Sequence, residues 1–166
     1  MKVFIKNEWS LVKENTDVRN ENFEPVFSVK GHHFSVGKRK EIYGRDGVLL
    51  YTVRDGLFNN FFSFKVHVTD ADGKRVATVK KARLDFSKRY KILNTKENFT
   101  VEGSIFEKGI YIMQNGQEIA TVKVLSSPLS STWVDSYLLD ADEKDIPFLT
   151  ALVIAIDNLR DRRRTN

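Results

Sequence analysis

Apolar and polar residues alternate with a period of two over much of this chain. Phe62, Phe64, Val66 and Val68 are separated by Ser63, Lys65 and His67, the pattern of a strand with one buried face. Three segments align without gaps: Asp46-Gly47-Val48-Leu49-Leu50-Tyr51-Thr52-Val53, Asp72-Gly73-Lys74-Arg75-Val76-Ala77-Thr78-Val79 and Asn115-Gly116-Gln117-Glu118-Ile119-Ala120-Thr121-Val122. Each follows a short β-prone run, namely Ile42-Tyr43, Val66-His67-Val68 and Tyr111-Ile112-Met113. Asp-Gly and Asn-Gly tolerate the positive φ of tight turns, and Thr-Val favours the pleat that follows, so the repeat predicts three hairpins. Further strands are expected at 3–6, 25–29, 34–36, 89–94, 99–102 and 133–139. Roughly a dozen short strands with turn residues every 8–12 positions describe a barrel or a sandwich.

The period changes near the C-terminus. Residues 148–159 read Phe-Leu-Thr-Ala-Leu-Val-Ile-Ala-Ile-Asp-Asn-Leu, nine of twelve apolar. Val153, Ile154 and Ile156 would suit a strand as well, but the flanks favour a helix. Pro147 fits a first helical turn, where its missing N–H costs nothing. Asp142, Glu143 and Asp145 lie upstream and Arg160, Arg162, Arg163 and Arg164 downstream, each sign at the end that the helix dipole favours. The twelve residues predict a rod about 18 Å long, within a helix over about 147–162. A helix apolar on nearly every face must be surrounded by protein. The expected fold is therefore mainly β, a barrel of roughly twelve antiparallel strands enclosing a hydrophobic C-terminal helix, with residues 1–166 as a single domain.

The ordered strings resemble the LURP-one-related family. They are Ala77-Thr78-Val79-Lys80-Lys81, Tyr90-Lys91-Ile92, Val101-Glu102-Gly103, Ala120-Thr121-Val122-Lys123, Asp135-Ser136-Tyr137, and the closing Leu152-Val153-Ile154-Ala155-Ile156-Asp157. The resemblance covers about residues 23–160. It implies membership of the Tubby C-terminal-like superfamily, alongside tubby proteins and phospholipid scramblases, and a twelve-stranded barrel threaded by a hydrophobic helix. Tubby domains bind phosphoinositides through basic residues, but their motif has no matched positions in this chain. The palmitoylated cysteines of scramblases have no counterpart either, because the chain has no cysteine.

Composition narrows the chemistry. The chain has 166 residues, 41% apolar, with a formal net charge of +5. Disulfides and cysteine-ligated metals are excluded. The first apolar stretch, Val3-Phe4-Ile5, falls short of the about 7–15 residues of a signal peptide, so a cytoplasmic location is expected. The apolar run from Ala151 to Ile156 is far below the roughly 18 residues of a membrane span. His32, His33 and His67 are the only histidines, and no Gly-x-Ser-x-Gly string holds a nucleophile. Asp70-Ala71-Asp72-Gly73 begins like a calcium loop, but Lys74, Arg75 and Lys81 stand where such a loop needs an oxygen ligand, a glycine and a glutamate. No enzyme activity, metal or cofactor is expected.

Charge is segregated along the chain. Residues 74–91 hold eight basic groups against Asp85 alone, and residues 92–159 hold four basic and ten acidic groups. Lys80, Lys81, Arg83, Lys88, Arg89 and Lys91 form the candidate ligand-binding surface, since cations clustered on one hairpin can hold phosphates. If Ile92 faces inward, Tyr90 shares its side and Lys91 faces out. The leading reading is a non-enzymatic intracellular binding or signalling domain, peripheral to a membrane, that takes anionic phospholipid or another phosphorylated ligand. The alternatives are a scaffold whose basic block meets an acidic protein, a solvated hairpin without a ligand, and an enzyme with a pocket at the barrel mouth. Nucleic acid is disfavoured, because the aromatic residues sit at apolar positions and no recognition helix is available.

Overall fold

The computed structural model describes residues 1–7, 16–32, 39–56, 63–82, 90–104, 109–125 and 135–161. Twelve antiparallel strands close into a barrel: β1 (Lys2–Asn7), β2 (Thr16–Asn20), β3 (Pro25–His32), β4 (Arg39–Tyr43), β5 (Leu49–Asp55), β6 (Ser63–Asp70), β7 (Arg75–Ala82), β8 (Lys91–Leu93), β9 (Phe99–Ser104), β10 (Gly109–Gln114), β11 (Gln117–Leu125) and β12 (Asp135–Ala141). Neighbours in sequence are neighbours in the sheet, and β1 pairs with β12 to complete the ring. Closure leaves no sheet edge to template aggregation. A short 3₁₀ turn (Glu143–Asp145) leads into α1 (Ile146–Asp161), with Pro147 in its first turn.

The three expected hairpins are present, in two turn types. Asn115 and Gly116 both have positive φ (52° and 82°), the two-residue loop whose twist matches that of the strands. The Asp46-Gly47 and Asp72-Gly73 turns are longer. Gly47 N–H bonds Gly44 C=O at 3.0 Å and Gly73 N–H bonds Asp70 C=O at 3.1 Å, with both glycines left-handed. All three hairpins carry a bulge at the same point of the repeat, with the register shifting between Ile42 and Tyr43, between Val68 and Thr69, and between Ile112 and Met113.

Alternation sends every second side chain inward. Val53, Val66, Val68, Val79, Ile112 and Leu139 are buried and meet the helix or one another. The helix packs mainly on β5, β6 and β7, and also touches β12. Residues 146–156 of the helix are apolar but for Pro147 and Thr150, and almost all are buried, as a rod enclosed on every side must be. The backbones of β10 and β11 approach closely at Gly109 (φ 112°): a Cβ there would lie 2.4 Å from the Val122 carbonyl oxygen, so no side chain fits.

Two strands differ from the sequence expectation. β2 carries only one buried apolar residue, Val18, among polar neighbours, and gives little alternation to read. β8 is three residues long rather than six, and meets β9 at the single pair Lys91 and Thr100. The strand expected at 34–36 lies outside the described residues.

Candidate basic face and buried polar clasp

The turn-rich end of the barrel contains the hairpin turns found among the described residues and the start of the helix. At the opposite end lie the strand termini Arg39, Asp55, Ala82, Lys91 and Asp135, together with the last turn of α1. Both candidate features stand there, one outside the barrel and one inside.

Outside, register aligns cations across strands. Arg39 on β4 faces Arg54 on β5, Lys65 on β6 faces Lys80 on β7, and Lys80 faces Lys91 on β8. Ile42, three residues from Arg39, and the chain neighbours Val53, Val66, Val79 and Ile92 of the other four are buried, so by the two-residue period all five cations point outward. Among the described outward positions of β4–β8 the one carboxylate is Glu41. It is only 8% exposed, accepts a hydrogen bond from Arg39, and accepts another from the Tyr43 hydroxyl at 2.7 Å. That bond to Glu41 holds the Tyr43 phenol above its ordinary pKa. His67 lies in the same face, with Nδ1 3.1 Å from Thr78 Oγ1. Burial, then Arg75 and Lys65, push its pKa below 6.5, the response of a ring in a positive field.

Of the six residues expected on this surface, Lys80 and Lys91 stand on it, and Arg83, Lys88 and Arg89 lie outside the described residues. Lys81 does not belong there. It is 6% exposed and shares the inward side of β7 with Val79, its ammonium 4.4 Å from the centroid of the Tyr90 ring. Adjacent strand residues face opposite ways, so Lys80 and Lys81 cannot both be outside. Arg39, Arg54 and Lys65 were missed because they come from a stretch with nearly balanced charge. The repeat holds the missing signal: a basic residue follows its Thr-Val in all three copies, as Arg54, Lys80 and Lys123, and the first two occupy equivalent outward positions on this face.

Inside, the last turn of the helix is polar and buried. Asp157, Asn158 and Arg160 are 2%, 1% and 5% exposed. The Tyr137 hydroxyl donates to Asp157, and the Arg160 guanidinium stands 5.8 Å from the Tyr137 ring centroid. Asn158 Nδ2 lies 3.5 Å from Asp55 Oδ1, at the long limit of hydrogen bonding. Asp157, one residue past the apolar run, is buried and accepts the bond from the Tyr137 hydroxyl. Arg160, a cation expected at the C-terminal end of the helix, stands in its last turn and is buried there. His67 faces away from this set, and the described residues contain no group of three or more metal-ligating side chains.

A closed antiparallel barrel filled by its own C-terminal helix defines the structural class. The model of the LURP-one-related family matches residues 1–157, and the chain belongs to that family. It is similar to the uncharacterized protein YxjI of Bacillus subtilis (strain 168), with 24% identity over 158 residues, covering 95% of this chain and 92% of the relative. Its fold is that of a protein from Arabidopsis thaliana solved by X-ray crystallography, with a TM-score of 0.61 and 16% identity, covering 96% of this chain and 91% of the other.

Proposed function

We propose that this chain is a non-enzymatic binding module whose outer β4–β8 face takes phosphate groups, carried either by anionic phospholipid headgroups or by a soluble phosphorylated ligand. The observation that carries the reading is the set of three like-charged pairs directly opposed across strands: Arg39 with Arg54, Lys65 with Lys80, and Lys80 with Lys91. Directly opposed like charges destabilise a sheet. A barrel selected for stability alone would alternate signs at these positions, whereas an anion bridging the pairs turns the repulsion into binding.

The magnitudes suit a reversible contact. Each Lys or Arg near an anionic surface contributes about 1 kcal/mol. With Arg39 bonded to Glu41 and Arg54 and Lys65 in interactions of their own, the face gives at most about 4 kcal/mol, a dissociation constant no tighter than about 1 mM for the face alone. The membrane surface that such a face would meet is the anionic cytoplasmic leaflet. Catalysis is a poorer use of these groups. Asp55 and Asp157 are buried against Asn158 and Tyr137, and His67 is on the other side of the wall.

Sedimentation with phosphatidylcholine vesicles, with and without phosphatidylserine, tests the reading. Titration with inorganic tripolyphosphate separates the soluble source from the bilayer. Wild type should bind at least one anionic probe several-fold more strongly than Lys80→Glu/Lys91→Glu, and added salt should erase the difference. Equal binding by the two proteins would sink the proposal.

A further inference from the structure

The basic face and the buried polar clasp meet on one strand end, where Arg54 of the face precedes Asp55 of the clasp. Arg39 precedes Lys40, Arg54 precedes Asp55, Lys80 precedes Lys81, and Lys91 follows Tyr90. In each couple the strand period sends the first-named cation outward and its neighbour inward. Asp55 contacts Asn158 of the helix, and Lys81 stands over Tyr90. The helix itself rests mainly on β5, β6 and β7, the strands that carry Arg54, Lys65 and Lys80.

Any change in the spacing of these strand ends is therefore passed to Asp55, and through it to Asn158 of the helix. The opposed pairs set like charges across those ends, so an anion bridging them acts on that spacing. The clasp already has a weak member, the 3.5 Å contact from Asn158 to Asp55. We propose that phosphate bound on the outer face draws the ends of β5–β8 together and closes the clasp on residues 157–160, so that anion binding outside is coupled to the order of the helix's last turn inside. This rests on the binding reading above. Coupling is reciprocal: whatever loosens the clasp must weaken the anion by the same factor.

Hydrogen exchange on the full chain tests this, with inorganic tripolyphosphate and with phosphatidylserine-containing vesicles as probes. Any ligand of the folded state slows amides that exchange through global unfolding, by a factor set by its concentration and affinity. Residues 149–156, in the apolar part of the helix, report that common factor. Residues 157–160, which lose protection by local opening, slow several-fold only if the clasp responds. The expected result is slowing at 157–160 with wild type and none with Lys80→Glu/Lys91→Glu. In a second measurement, Asn158→Leu should bind the probe several-fold more weakly, although it leaves every outer cation in place. If a probe binds and residues 157–160 exchange at their unliganded rate, the coupling is wrong and the binding reading stands. If neither probe binds, both fall.

Discussion

The two ends of the helix are held by different chemistry. At the turn-rich end Phe148 meets the Tyr51 ring at 5.9 Å and the Phe99 ring edge-on at 5.6 Å, above the buried Ile146 and Leu149. At the other end Asp157, Asn158 and Arg160 are enclosed with Tyr137 and Asp55. Apolar contacts lose little when geometry shifts by a few tenths of an ångström, whereas a buried hydrogen-bonded group that loses its partner carries its whole desolvation cost. The aromatic end is accordingly suited to anchoring the helix, and the polar end to responding to a change in the strands around it.

The comparison breaks most severely if the shared middle of the rod is damaged. Ile154 is 5% exposed in that middle, and Ile154→Asp places an unpaired charge there at a cost of several kcal/mol, comparable to the stability of a whole domain. The expected outcome is loss of soluble, cooperatively unfolding protein, read by circular dichroism. Retention of a native melt would contradict an enclosed helix.

A smaller pair of changes sharpens the contrast. Phe148→Ala should cost about 3 kcal/mol in urea denaturation, largely independent of salt. Tyr137→Phe removes one oxygen but leaves the buried Asp157 without that donor, and should cost about 1–3 kcal/mol. Adding Asp157→Leu to Tyr137→Phe should return part of that loss, because removing both partners is cheaper than removing one. Losses that simply add in the double variant would show that the clasp is not a coupled unit.

The smallest effect belongs to His67. Its folded pKa lies below 6.5, so above that value the ring is neutral in both states and adds no pH dependence. As pH falls below about 6.5 the unfolded chain takes the proton first, and the fold loses stability. The ring is partly solvated, which keeps the loss small. Denaturation at pH 7.5 and pH 5.5 should show a smaller difference in His67→Gln than in wild type; equal differences would locate the pH dependence elsewhere.

The barrel was legible because its signals are local. Hairpin turns at Asp46-Gly47, Asp72-Gly73 and Asn115-Gly116 and the all-apolar run 151–156 each declare their structure within a few residues. The basic face was only half legible, because a face belongs to register and not to sequence distance. Counting charge along 74–91 placed Lys81 beside Lys80, where the pleat separates them, and passed over Arg54 and Lys65, which the barrel brings alongside. The clasp was not legible at all. Nothing near Asp157 in sequence points to Tyr137, twenty residues earlier, or sets Asn158 against Asp55, 103 residues away.

The closure of β1 on β12 also constrains how the molecule is made. The N-terminal ammonium bonds the Ala141 carbonyl at 2.6 Å, across 140 residues of chain. On the ribosome the first strand has one flank without a mate until the twelfth emerges, and the rod that fills the interior is synthesised later still. Contacts so distant in sequence form slowly, and the half-built cylinder exposes its aliphatic lining meanwhile. Assembly must await synthesis of the helix, and a truncation before residue 146 should yield an aggregating product rather than a smaller barrel.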